Sequence, residues 1–216
     1  MNSYEYDLFV LVAYKNMESF VNSLLGRHAD LGCNEIQCKV ARHPEKDSGC
    51  YEKAHEFLQP FHGQFEHALV IFDEQFDRAK PKRGRKKSAT KIQNEVTQRL
   101  SANGWEDRAK AIVIDPELEN WMRGDCPALE IAIRWNIPNT DVRSWLSAKE
   151  LWPVNKPKPP DPKSALETVL KSVGRPRSSV LYKDTAKMAN LENCRDSSFA
   201  EFKQTLNEWF PIKTNE

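Results

Sequence analysis

Glycine is scarce in this chain, with 8 in 216 residues. Neither a G-x-x-x-x-G-K-[ST] loop nor a G-x-G-x-x-G turn is present. That excludes a P-loop ATPase and a dinucleotide-binding enzyme, since both need glycines to bring backbone N–H groups against phosphates. G-x-S-x-G is missing too, and the five histidines form no H-E-x-x-H pair. Net charge is nearly absent, with 32 Lys+Arg against 31 Asp+Glu, so the chain is neither a polycation nor an acidic tail. No apolar run reaches the roughly 18 residues of a membrane span, and no membrane partner is expected. The opening residues, Met1-Asn2-Ser3-Tyr4-Glu5-Tyr6-Asp7, lack the basic region and apolar stretch of a signal peptide. A cytoplasmic location is the expectation.

Cysteine is present but gives no framework. The five residues are odd in number and scattered. Cys33, Cys38, His43 and Cys50 are spaced C-x4-C-x4-H-x6-C. A zinc knuckle uses a tighter C-x2–4-C turn, so that two thiolates meet one metal. These cysteines read as ordinary thiols.

What is present is an alternation. Residues 7–13 and 67–72 are nearly continuous apolar runs, as is 109–114. Such runs suit strands buried on both faces of a parallel sheet. A weaker strand is expected over 36–40. Between these runs, Met17, Phe20, Val21, Leu24 and Leu25 keep the spacing of an amphipathic helix. Further helices are expected over 51–58 and 88–102. The first 115 residues therefore read β-α-β-α-β-α-β, which calls for an α/β fold with a mostly parallel, Rossmann-like sheet flanked by helices. After that the strand signal stops. Helical segments are expected around 118–123 and 128–135. A connector at 152–162 holds five of the thirteen prolines and is expected to be extended. Ser164-x-x-Glu167 and Ser198-x-x-Glu201 read as capping boxes opening two more helices. The expected division is an α/β unit over 1–125 and a C-terminal helical appendix over 126–216.

Ligands of open parallel sheets bind at the carboxyl ends of the strands, and this chain places acids there. Asp73, Glu74 and Asp77 follow the middle strand. Asp115, Glu117 and Glu119 follow the last one. Clustered hard oxygens are what Mg²⁺ needs, and such a cation can hold a phosphodiester and activate water. Asp115, directly before a proline, reads equally well as a helix cap. A basic segment leaves the same strand end as Asp73. Residues 78–94 hold eight basic side chains and no acid, among them Lys80, Lys82, Arg83, Arg85, Lys86 and Lys87. Such a loop neutralises phosphates without reading sequence. A solvated loop and a nuclear localisation signal are the other readings. Trp121, Trp135, Trp145 and Trp152 fit either the core or a contact surface.

Four stretches resemble one family. Val10-Leu11-Val12-Ala13-Tyr14-Lys15-Asn16-Met17-Glu18-Ser19-Phe20 is similar to the opening of a Toprim (topoisomerase–primase) domain. Val70-Ile71-Phe72-Asp73-Glu74-Gln75-Phe76-Asp77 is similar to its acid-tipped strand. Glu117-x-Glu119-x-Trp121-x-x-x-Asp125 resembles a block of Toprim-like proteins encoded beside ATPases in bacterial anti-phage defence loci, and the tail from Asp161 through Tyr182 to Phe202 resembles theirs. The resemblance implies a Toprim fold, Mg²⁺, phosphodiester chemistry on DNA or RNA, and an ATPase or other defence subunit as partner. It implies catalytic roles for Asp73, Asp77, Glu117 and Glu119, with Glu74 and Glu18 as further metal ligands. Two positions depart from the family. Ala13 stands where the family closes its first strand with Glu, and Glu18 lies one turn into the helix. Asp73-Glu74-Gln75 stands in place of D-x-D. Two functions follow as expectations: a Mg²⁺-dependent nuclease effector, or a catalytically degenerate subunit that binds nucleic acid or a partner protein.

Overall fold

The computed structural model describes residues 4–74, 87–122, 127–192 and 194–212. Four strands, β1 (Tyr6–Val12), β2 (Cys38–Arg42), β3 (Phe65–Asp73) and β4 (Ala109–Ile114), form one sheet in the order β2-β1-β3-β4. Every pairing is parallel. The apolar runs are continuous because both faces of β1 and β3 are covered, and Leu8 through Val12 and Ala68 through Phe72 are essentially inaccessible. The register aligns the carboxyl ends. Val12 lies opposite Arg42 and Ile71, and Asp73 lies opposite Ile114. The acids after β3 and β4 are thereby brought to one edge.

The helices divide between two faces. α1 (Lys15–Leu25) and the short α2 (His28–Leu31) lead from β1 to β2, α3 (Lys46–Leu58) leads from β2 to β3, and α4 (Ala89–Leu100) leads from β3 to β4. Right-handed crossovers turn left at β2 and right afterwards, so α1 lies on one face and α3 with α4 on the other. α3 and α4 do pack on each other. The α1 face is completed by the C-terminal half. This comprises α5 (Ala128–Ile133), α6 (Val142–Ala148), α7 (Pro162–Ser172), α8 (Ser179–Met188) and α9 (Ser197–Trp209). α1 packs most extensively on α8. Just past α1, Arg27 donates from Nη1 to the carbonyls of Ala186 and Ala189, both at 2.7 Å, closing the last turn of α8. Trp121 sits between the two halves. Its ring meets Phe20, Phe199 and Phe202, and its Nε1 donates to Ser198 Oγ at 2.8 Å. His67 stacks on Trp209 at 4.4 Å.

Several expectations are corrected in detail. α3 begins at Lys46, five residues before the expected start at 51. The helices expected at Ser164 and Ser198 start earlier. Their caps are Asp161 and Asp196, which accept from the N–H groups of Ser164 and Ser198. Pro162 at the first position of α7 supports this start, since its missing N–H has no helical partner there anyway. Of the two readings of the tryptophans, the core one holds. Trp121 and Trp152 are buried, and Trp135 packs edge-on against Trp145, both partly covered. Cys33, Cys38 and Cys50 are free thiols, and His43 Nδ1 accepts the Glu45 N–H. Among the described residues no helix is long and apolar enough to cross a membrane.

Candidate functional site

The carboxyl edge of the sheet opens into a cleft of about 460 Å³, lined among others by Tyr14, Asp47, Asp73, Glu117, Glu119 and Arg177. Asp73 is the last residue of β3 and is 7% exposed. Three elements converge on it. Tyr14, after β1, donates its hydroxyl to Oδ2 at 2.7 Å. The Leu118 N–H, after β4, donates to Oδ1 at 2.9 Å. The Asp73 N–H in turn donates to Asp47 Oδ1 at 3.0 Å, in the first turn of α3. Burial pushes the Asp73 carboxyl well above the usual range. Asp47, Glu119 and Glu117 push the same way, against the Tyr14 hydrogen bond. Tyr14 is likewise raised well, first by burial and then by Asp73, so its phenol stays a donor. Asp47 is raised by burial, against the Asp73 N–H that it accepts.

Glu117 and Glu119 flank the short 3-10 turn Leu118–Asn120 after β4 and are 4% and 1% exposed. The turn explains why both point inward. Spaced two apart across it, they bracket Leu118, whose N–H is held by Asp73. Glu119 Oε1 accepts from Arg177 Nη2 at 2.6 Å and from the Tyr182 hydroxyl, while Arg177 Nε donates to that hydroxyl at 2.6 Å. Burial first, and Glu119 next, push Tyr182 upward. Burial pulls Arg177 down, but Glu119 and Tyr182 outweigh it and the guanidinium stays charged. Glu117 is raised to about 7, by burial first and by Glu119 second, with Lys163 opposing. The Oε2 atoms of Glu117 and of Glu119 are both buried without a hydrogen-bond partner. A buried carboxylate oxygen left unpaired costs about 1–3 kcal/mol or more, so these two atoms mark where a ligand would be stabilising.

The expected acids thus separate. Asp73, Glu117 and Glu119 share the cleft. Glu18 does not; it pairs with Arg42 at 3.1 Å and lines a neighbouring cleft. Glu74 is buried beside the end of β3 but does not line the cleft. Asp115 is exposed, and its carbonyl accepts from Asn120 Nδ2 and Lys158 Nζ. Asp77, Asp125 and the basic residues Lys80, Lys82, Arg83, Arg85 and Lys86 lie outside the described residues. Lys87 is described, and its Nζ is held by Glu95 Oε2 and Tyr51 Oη, each at 2.7 Å.

The sequence reading missed Asp47, Tyr14, Arg177, Lys163 and Tyr182. Asp47 follows a parallel strand and opens a helix, the very position that singled out Asp73, but the strand before it is weak and polar. The cations come from α7 and from the segment before α8, on the far side of the connector.

As a metal site the donor set is hard oxygen, which suits Mg²⁺ or Mn²⁺. The two unpaired Oε2 atoms supply open coordination on side chains already at the cleft. Among the described residues no three His, Cys, Asp or Glu groups are already gathered around one point as a metal cage. Comparison with known protein families, with curated proteins and with solved structures finds no match to this chain.

Proposed function

We propose that the cleft is a divalent-cation-dependent phosphodiester site of Toprim-like type, acting on nucleic acid as a nuclease. The observation that supports it most is the placement of Glu117 and Glu119, each with a buried unpaired oxygen, beside Asp73 at the carboxyl edge of a parallel sheet. Asp73, Glu117 and Glu119 would hold the cation. When bound, Mg²⁺ supplies charge neutralisation at the phosphoryl oxygens and polarises water. The chain's own groups do the rest. Lys46, Lys163 and Arg177 line the same cleft and offer cations to a phosphate. Glu117, poised near neutrality, suits a group that takes up or releases a proton. Tyr14 keeps Asp73 aimed. The setting in anti-phage defence and an ATPase partner rest on the sequence resemblance alone.

One observation favours the second reading, a catalytically degenerate subunit that binds nucleic acid or a partner protein. Both oxygens of Asp73 and one of Glu119 are already engaged inside the protein, and Ala13 stands where a further carboxylate is expected.

The test is a Mg²⁺ and Mn²⁺ titration by calorimetry on the wild type, Asp73→Asn and Glu119→Gln, with nicking assays on plasmid and on RNA. Because Glu117 is raised to about 7, binding near neutral pH should release protons, visible as a heat that changes with the buffer's ionisation enthalpy. Metal-dependent cleavage lost in both variants supports the nuclease. Absence of both metal binding and cleavage in the wild type overturns it in favour of the degenerate subunit.

A further inference from the structure

Beside the carboxylate cleft lies a second, larger one of about 710 Å³. The two share Tyr14, Asn16 and Lys46 as a common wall. The second cleft forms where β1 turns into α1 and β2 turns into α3, two neighbouring strands at the same sheet edge. Its charged lining has the opposite sign. Lys15, Arg42 and Lys46 face one acid, Glu18, which is paired with Arg42. The two helices that start here add to the field, for α1 and α3 run 11 and 13 residues and neither Tyr14 nor Glu45 caps its helix with a side chain.

His43 strengthens the case. It is 6% exposed and lines the cleft. Its Nδ1 accepts the Glu45 N–H at 3.1 Å, so the neutral ring carries its proton on Nε2 and is a donor there. The ring is fixed from behind, because a Cβ on Gly49 would lie 1.9 Å from His43 Nδ1. Lys46 adds a separate sign. It holds a left-handed backbone, φ +54, at the boundary of the two clefts. A lysine is an unfavourable residue for that conformation, and such outliers cluster at ligand sites.

We infer that the basic cleft grips the backbone phosphate of a nucleic-acid strand, which crosses past Tyr14 and Lys46 to bring its next phosphodiester over the carboxylates. An isolated phosphate would use only the basic half, whereas a strand explains why clefts of opposite sign share a wall. The onward path of the strand rests on the proposed nuclease reading; the grip itself does not.

The test measures binding of labelled DNA and RNA oligonucleotides by fluorescence anisotropy in EDTA, at several salt concentrations. Lys15→Gln/Arg42→Gln removes two cations that line only the basic cleft. It should weaken binding by about tenfold or more and lower the slope of log affinity against log salt by about 2. Magnesium binding by calorimetry should be unchanged in the same variant. Lys171→Gln/Lys187→Gln, with the same charge change on exposed positions elsewhere, should leave affinity near the wild type. Unchanged affinity and slope in the cleft variant overturn the inference. So does an equal loss in the control pair, or full displacement of the oligonucleotide by inorganic phosphate at micromolar concentration. A wild type that binds magnesium but no oligonucleotide overturns this inference and leaves the metal reading standing. A wild type that binds oligonucleotide through Lys15 and Arg42 but binds no metal upholds it and removes the nuclease.

Discussion

The two faces of the sheet are built differently. The face under α3 and α4 is closed by the crossover helices themselves, with Ala54 and Leu58 from one and Ile92, Val96 and Leu100 from the other. The face under α1 is closed from far along the chain, by α8 and α9, with Tyr182, Phe199 and Phe202 buried there. This second face brings two of the cleft's three cations, Lys163 and Arg177, while Lys46 comes from the start of α3. The C-terminal half is therefore part of both the core and the site, and the expected boundary near residue 125 runs through a shared interior.

The largest test of this contrast is removal of everything after residue 150. It leaves the sheet and the α3–α4 face whole but removes α8, the helix that packs most extensively on α1. Net stability of a domain is only about 5–15 kcal/mol, so the shortened chain should show no cooperative thermal transition by circular dichroism. A sharp transition would mean that the first half folds alone. Next is Arg177→Ala, which takes the paired cation away from the buried Glu119. Breaking such a pair costs about 3–5 kcal/mol, read by urea denaturation. Adding Glu119→Gln should recover part of the loss, as the cycle of the two variants would show. A cost under about 1 kcal/mol would mean that the appendix touches the site without holding it.

A smaller effect concerns pH. The folded pKa of Glu117, about 7, lies above the ordinary glutamate value of 4.5. Between these values the unfolded chain gives up the proton first, so the folded state binds more protons and stability falls as pH rises. The stabilisation is complete below about 4.5 and lost as pH climbs through about 7. Glu117→Gln should flatten that part of the Tm–pH curve, with Asp73 leaving a residual slope of the same sign. An identical curve would remove Glu117 from the account. The smallest effect is Lys46→Gly. It relieves the left-handed penalty at the expense of a more flexible unfolded chain. The expected net gain is about 0.5–1 kcal/mol, together with weaker nucleic-acid binding. A loss of stability would show that the Lys46 side chain carries structural contacts.

The strands were legible because burial on both faces writes a continuous apolar run, and Asp73, Glu117 and Glu119 were legible because each follows such a run. β2 was found only approximately. As an edge strand it is half-covered, and its Lys39 rests over the rings of Phe9 and Phe61. That vagueness hid Asp47. The helix it opens begins Lys46-Asp47-Ser48-Gly49, residues that read as a turn, yet Gly49 is there to make room for His43. Glu18 was misplaced for the opposite reason. Its nearness in sequence to the first strand end suggested the site, but one helical turn carries it to Arg42. Arg177 and Tyr182 carry no local signal at all, because what makes them part of the site is the docking of α8 on α1.

That docking has a consequence for biosynthesis. The sheet is complete in sequence at Ile114, but the helix that covers α1 starts at Ser179, 65 residues later by subtraction. At about 5–20 residues per second, the growing chain carries an open apolar face for roughly 3–13 s. Arg27 reaches the Ala186 and Ala189 carbonyls only once α8 has left the ribosome. Nascent chains should therefore engage holding chaperones until α8 has emerged from the ribosome, and release from them should coincide with the arrival of Lys163 and Arg177 at the cleft.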